Sequence, residues 1–139
     1  MKVLKYSTIF FYIIVIFLSN SLYGKYGDSK PKLSDNSIKS FHNYISSKRK
    51  RSDKFMITLD GTGTYTWVCP QTLCLPAGEN FYAKPCKIKN KNKKCKIFAV
   101  GRKIKWSSVN TTLNEYKTFK QSDSFIEVIQ KLQKLGFVD

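Results

Sequence analysis

The chain has one histidine, three arginines and nine acidic residues among 139. Each shortage removes a class of chemistry. A two-histidine phosphodiesterase lacks its second base. Any Ser–His or Cys–His nucleophile must use His42, which stands beside Phe41 among Lys and Ser and reads as a partly exposed surface residue. Paired-acid hydrolysis needs two carboxyl groups held close together. The middle of the chain offers Asp60 and Glu79, the first suited to a turn and the second to a helix start. No C-x-x-C occurs, which argues against a dithiol redox site. Gly61-Thr62-Gly63 leads into a strand, whereas a phosphate loop leads into a helix. The longest apolar run, residues 9–18, is short of the ~20 residues of a spanning helix. There is no internal repeat, and no residue pattern asks for a cofactor or a metal.

What is present begins with that short run. Lys2 and Lys5 precede it, and Ser19-Asn20-Ser21-Leu22-Tyr23-Gly24 follows. This is the charged, apolar and small-residue order of a secretory signal peptide. Residues 1–24 are therefore expected to direct export, with cleavage after Ser21 or Gly24; an uncleaved N-terminal anchor is the alternative. Both leave the rest outside the cytoplasm, periplasmic or secreted, because the positive end stays inside. No Cys follows the run to carry a lipid. The remaining ~115 residues can bury one modest core, and cross-links help at that size. Apolar residues at 42% and aromatics at 14% are too many for a disordered chain.

The expected organisation is a linker at 25–36, an α+β domain at 37–106, and a tether with an amphipathic helix at 107–139. Asp35 or Asn36 is expected to cap a helix whose Ile38, Phe41, Tyr44 and Ile45 share one face. A charged connector with Lys48-Arg49-Lys50-Arg51 follows. Phe55, Ile57 and Leu59 alternate along a strand, Asp60-Gly61-Thr62-Gly63 turns the chain, and 64–69 returns as a second strand. Residues 79–89 are only weakly helical, and Pro85 is expected to break a helix there. Residues 95–100 form a strong strand, Gly101-Arg102 a two-residue turn, and 103–106 its partner. Near the end, Ser122 is expected as the N-cap with Asp123 in the first turn. Phe125, Ile126, Val128, Ile129, Leu132 and Leu135 form the apolar stripe, and Gly136 suits the C′ position.

Four cysteines, Cys69, Cys74, Cys86 and Cys95, read as a disulfide framework in an exported chain. Of the three pairings, the local one is expected, Cys69 with Cys74 and Cys86 with Cys95. Zinc is the competing reading, but its usual C-x2-C pair is missing and His42 is distant in sequence.

The order of features from Phe55 to Trp106 is distinctive. A strand ends in Asp-Gly, an aromatic-rich strand ends in Cys, and a second Cys follows. Then come Cys86, a polar gap, Cys95-x-Ile97-Phe98-Ala99, and Trp106. This resembles a small exported domain of unknown function found in alphaproteobacteria, over residues 38–106. There the stretch often begins with a helix bearing an aromatic, as Phe41 and Tyr44 would here. The resemblance implies an α+β domain with a small antiparallel sheet; the expected fold is α+β, with three to four antiparallel strands, helices packed on them and two local disulfides as staples. It supplies no activity and no catalytic residues. The chain departs where the family has an Ala-rich helix and this sequence has Glu79-Asn80-Phe81-Tyr82-Ala83-Lys84-Pro85.

Basic charge is the remaining signal. Net charge is +16, with lysines far outnumbering the arginines. An AT-rich coding bias would account for part of that, and phosphate-recognition surfaces usually favour arginine forks. Lys87, Lys89, Lys91, Lys93 and Lys94 cluster before the 95–100 strand, and Arg102, Lys103 and Lys105 follow it. These eight are the candidate contacts to an anionic envelope polymer or to a membrane surface. The competing reading is a solvated Lys-rich face with the aromatics in the core. The second functional expectation is a protein partner docking on the C-terminal helix through Phe125, Ile129 and Leu132. Against it stands the need of a one-sheet domain for a covering layer, which that helix would supply.

Overall fold

A computed structural model describes residues 27, 30–70, 74, 77–109 and 111–139. The candidate export segment at 1–24, and the linker residues 25, 26, 28 and 29, lie outside the described residues. The fold is α+β, a four-stranded antiparallel sheet with helices on both faces.

The sheet comprises β1 (Lys54–Thr58), β2 (Thr64–Trp67), β3 (Cys95–Val100) and β4 (Lys103–Ile104), in the order β2-β1-β3-β4. β1 is central and every one of its residues is buried. Alternation sends Phe55 and Ile57 to one face and Met56 to the other, so the sheet separates two apolar clusters. A bulge in β3 adjusts this pattern. The register steps from Phe55 opposite Ala99 to Met56 opposite Ile97, which leaves Phe98 as the extra residue. Phe98 and Ala99 consequently both enter the larger cluster, while Ile97 serves the smaller one. Gly101 opens the two-residue turn into β4 with φ +55°, a conformation that a side chain would resist.

α1 (Asp35–Ser46) lies on the larger cluster. Its cap is Ser34, not Asp35 or Asn36: the Ser34 hydroxyl accepts the Ser37 N–H at 3.3 Å. Ile38, Phe41, Tyr44 and Ile45 are its buried stripe, as their spacing requires. The Phe41 ring sits 5.2 Å from Phe55, 5.3 Å from Phe98 and 5.1 Å from Phe119. One residue thereby joins the helix, two strands and the segment leading to the last helix.

α2 (Glu79–Lys89) covers the opposite face through Tyr82, Ala83 and Cys86. It forms despite Pro85, which lies inside it. The proline removes only the bond to the Phe81 carbonyl, and Phe81 stands on the solvent side. Packing of Tyr82 and Cys86 outweighs the local penalty. Cys86 is disulfide-bonded to Cys95 of β3, and Cys69 to Cys74 just after β2, with Cα separations of 6.1 and 5.9 Å. Closing loops this short contributes about 2–3 kcal/mol each in the chain-entropy account.

α3 (Phe125–Lys134) begins two residues later than Ser122 would place it. Ser124 and Glu127 form a reciprocal capping box. Asp123 turns inward, accepting from the Lys120 N–H at 2.9 Å and the Lys131 ammonium at 2.6 Å. The helix ends on Gly136 at φ +82°, with Phe137 N–H bonded to the Leu132 carbonyl and Gly136 N–H to that of Gln133, both at 2.9 Å. This is a Schellman closure, and it drives Phe137 into the core 4.9 Å from Phe98.

The folded unit extends beyond 37–106 at both ends. Leu33 is buried, and its N–H bonds the Phe137 carbonyl at 2.9 Å. Gly27 lies flat on the Trp106 ring, where a Cβ would collide with the indole. Residues 107–121 are anchored rather than free: Val109 and Phe119 are buried, a 3-10 helix spans Thr111–Lys117, and Thr118 bridges Lys103 of β4. Leu132→Ala should destabilise the protein by about 2–5 kcal/mol, because that side chain is fully buried. Ile126→Ser, at a site 66% exposed, should change stability by less than about 0.5 kcal/mol. Urea unfolding with the disulfides intact measures both.

Candidate functional site

The C-terminal end of α1 organises the basic surface. A helix leaves its last carbonyls without intrahelical partners, and α1 carries no basic residue in its last turn. Donors arrive from elsewhere. Arg49 Nε bonds the Tyr44 carbonyl at 2.9 Å; Arg102 bonds the carbonyls of Ile45 and Ser47 at 2.9 and 2.8 Å. Ser46 and Ser47 hydroxyls donate to the carbonyls of His42 and Asn43. Two of the three arginines are thus held by helix-end oxygens.

Tyr44 completes the clamp. Its hydroxyl reaches the carbonyls of Asp53 and Gly101, at 3.0 and 2.6 Å. Burial, and then the Asp53 charge, hold that hydroxyl well above the ordinary phenol range, against the opposing pull of Arg49 and Arg102. It therefore stays a donor. Asp53 is itself buried and accepts from the backbone N–H groups of Lys50 and Cys69, both at 2.9 Å. Lys50 Nζ donates to the Cys69 carbonyl at 2.7 Å. The connector, the β3–β4 turn and the first cysteine of the 69–74 disulfide are in this way tied together.

The result is a groove of about 450 Å³ lined by Arg49, Lys50, Arg51, Arg102, Lys103 and Lys105, with no carboxylate on its walls. Arg49, Lys50 and Arg102 are fixed by the carbonyls just named. Arg51, Lys103 and Lys105 make no side-chain hydrogen bond or ion pair with any described residue. Held cations interleaved with unpaired ones line a concave site that suits an extended anion.

The eight candidate contacts do not share one face. Arg102, Lys103 and Lys105 belong to this groove. Lys87, Lys89, Lys91, Lys93 and Lys94 gather around the C-terminal end of α2 and the entry to β3. β3 is six residues long, so the two groups stand about 17 Å apart along it. Lys93 is also engaged, bonding Asp60 at 2.7 Å and Thr62 at 2.9 Å. The Lys48–Arg51 run was visible in the sequence as a basic connector. Its meeting with the 101–105 turn depends on the Tyr44 and Asp53 contacts, which no spacing announces.

The other candidates have structural settings. Leu132 of α3 is fully buried, Ile129 packs against the larger cluster, and Phe125 lies edge-on to His42 at 5.4 Å. Docking a partner on this stripe would require α3 to leave the core. Asp60 organises the β1–β2 turn through Thr58 and Thr62. Lys54 is buried, with its ammonium 4.3 Å from the Tyr82 ring centre and 4.8 Å from that of Trp67. Among the described residues no three His, Cys, Asp or Glu side chains converge as a metal site would need. No family model, curated protein or solved structure matches the chain.

The carboxylates make the fold sensitive to acid. Lys93, then Thr58 and Thr62, hold Asp60 well below the usual carboxylate range. Burial alone would raise Asp123, but the Lys131 ammonium and the Lys120 N–H outweigh it and leave that group lowered. A depressed native pKa adds stability that is present above the unfolded value and lost as pH falls. The urea midpoint should therefore hold steady above about pH 5 and decline below about pH 4. Asp60→Asn should flatten part of that decline.

Proposed function

We propose that this chain is an exported, non-enzymatic binding protein of the cell envelope that holds an anionic polymer in the groove between the connector and the β3–β4 turn. The carrying observation is six basic side chains around one concavity without a carboxylate. A linear phosphorylated or acidic polymer fits this chemistry, because its repeating charges can meet Arg51, Lys103 and Lys105 in succession. Arg102 and Arg49 hold the groove's shape through α1. Affinity then comes chiefly from counterion release, which is tolerant of sequence and sensitive to salt. Export is supported by the two disulfides, which persist in oxidising compartments and are rare in the reducing cytosol, and by the charged and apolar order of residues 1–24. The likeness of residues 38–106 to a small exported domain agrees with the same placement. No helix among the described residues is long and apolar enough to cross a membrane.

Fluorescence anisotropy with a labelled polyphosphate chain, between about 50 and 300 mM salt, tests the reading. Binding should weaken steeply with salt. The triple change Arg51→Ala, Lys103→Ala, Lys105→Ala should reduce the salt slope by about two. Lys91→Ala with Lys94→Ala, at the other end of β3, should reduce it less. A salt-independent affinity, or a triple variant that binds as wild type does, would overturn the assignment.

A further inference from the structure

The outer face of α2 carries a feature that the groove does not use. Phe81 is 60% exposed and Ile88 is 68% exposed. They lie seven residues apart, on one side of the helix and about 10 Å along its axis. Burying such side chains is ordinarily favourable, and the inner face of α2 has room for Tyr82, Ala83 and Cys86 only. Trp67 of β2 touches Phe81 edge-on at 6.3 Å. The apolar strip therefore continues from the helix onto the sheet edge.

The charged side chains lining the groove beside Ile88 are lysines. Lys84 and Lys87 line a groove of about 380 Å³ with Ile88, Asn80, Ala83 and Asn92. Lys84 and Lys87 are three residues apart on the helix, a spacing at which like charges repel. None of these lysines has a side-chain partner among the described residues. No acidic residue occurs in the sequence between Glu79 and Glu115.

We infer that this face docks on an anionic phospholipid bilayer. Phe81 and Ile88 would enter the acyl boundary, and Lys84 and Lys87 would meet headgroup phosphates in the adjoining groove. Exposed apolar residues flanked by lysines are the pattern of interfacial membrane binding. A second copy of the chain is a poor occupant. A two-fold contact would bring these lysine rows towards each other, and nothing acidic on the same face would offset them. The inference is independent of the polymer groove, which lies at the far end of β3.

Co-sedimentation of the protein with vesicles of phosphatidylcholine alone, or containing phosphatidylglycerol, tests this. Binding should require phosphatidylglycerol and should shift Trp67 emission to the blue, since that indole adjoins Phe81. Phe81→Ser and Ile88→Ser should each weaken vesicle binding by about tenfold. Both sites are exposed and remote from the groove, so polyphosphate affinity should stay unchanged, and melting temperature should fall only slightly as Phe81→Ser loses its edge contacts with Trp67 and Tyr82. Lys84→Ala with Lys87→Ala should weaken binding to the anionic vesicles and flatten its salt dependence. Three results would overturn the inference. One is absence of vesicle binding. Another is vesicle binding that survives both serine changes but is lost in the groove triple variant. The third is self-association that the serine changes abolish while no lipid is bound.

Discussion

β1 hydrogen-bonds along both edges and is buried on both faces, and the two cores are indexed to it. A five-residue strand with no exposed side chain must be covered twice. Phe55 and Ile57 call for one layer, which α1 and the C-terminal segment supply. Met56 calls for another, which α2 supplies with its disulfide to β3. A chain of this size has little core to distribute. Dividing it between two faces leaves the smaller side with few apolar residues, and the Cys86–Cys95 bridge reinforces that side. The bulge at Phe98 serves the same division, because it turns two successive residues of β3 towards the larger core.

The end of α1 has a second consequence. Its carbonyls recruit Arg49 and Arg102 from segments remote in sequence. Arginine suits this task because its planar fork can bond several oxygens at once. Recruiting it brings the neighbouring Lys50, Arg51, Lys103 and Lys105 to the same place. The groove is thus a by-product of helix capping as much as a feature in its own right. Arg49 and Arg102 are held in its walls by the helix-end carbonyls for that reason.

Much of the architecture was legible in local pattern. The stripe of Ile38, Phe41, Tyr44 and Ile45, the alternation at 55–59, the turn at Gly101 and the closure at Gly136 each follow from period or backbone conformation, and the structure has all four. The local cysteine pairing was legible too. What escaped was the outcome of competition. Ser34 and Ser124 won the caps over their neighbours because their hydroxyls face the correct N–H groups. The Ser124-x-x-Glu127 spacing was the available signal for the second. α2 tolerates Pro85 because tertiary packing overrides propensity. Residues 107–121 looked like a tether because they are polar, yet Val109 and Phe119 anchor them. The division of the lysines between two ends of β3 is a matter of topology, which charge clustering along a chain does not reveal.

The distribution of the few acids explains why both basic surfaces stay uncompensated. Asp53 and Asp123 are turned inward to bond backbone and Lys131. Asp60 is occupied with a turn and Lys93, Glu127 with its capping box, and Asp139 with Lys32. These acids are committed to local structure and lie away from the groove walls and the outer face of α2. Lys103 and Lys105 in the groove, and Lys84 and Lys87 on α2, have no side-chain partner among the described residues and must be neutralised from solution. In dilute salt that means a loose counterion layer, whose release on contact with a polyanion is entropically favourable. The polymer groove and the α2 face share this driving force but differ in one respect. The groove sets its cations around a concavity also lined by Val100 and the buried Phe119, whereas α2 sets cations around two side chains that project into solvent. The first geometry favours a charged strand lying along the surface, and the second favours a phase boundary with charge outside and hydrocarbon within.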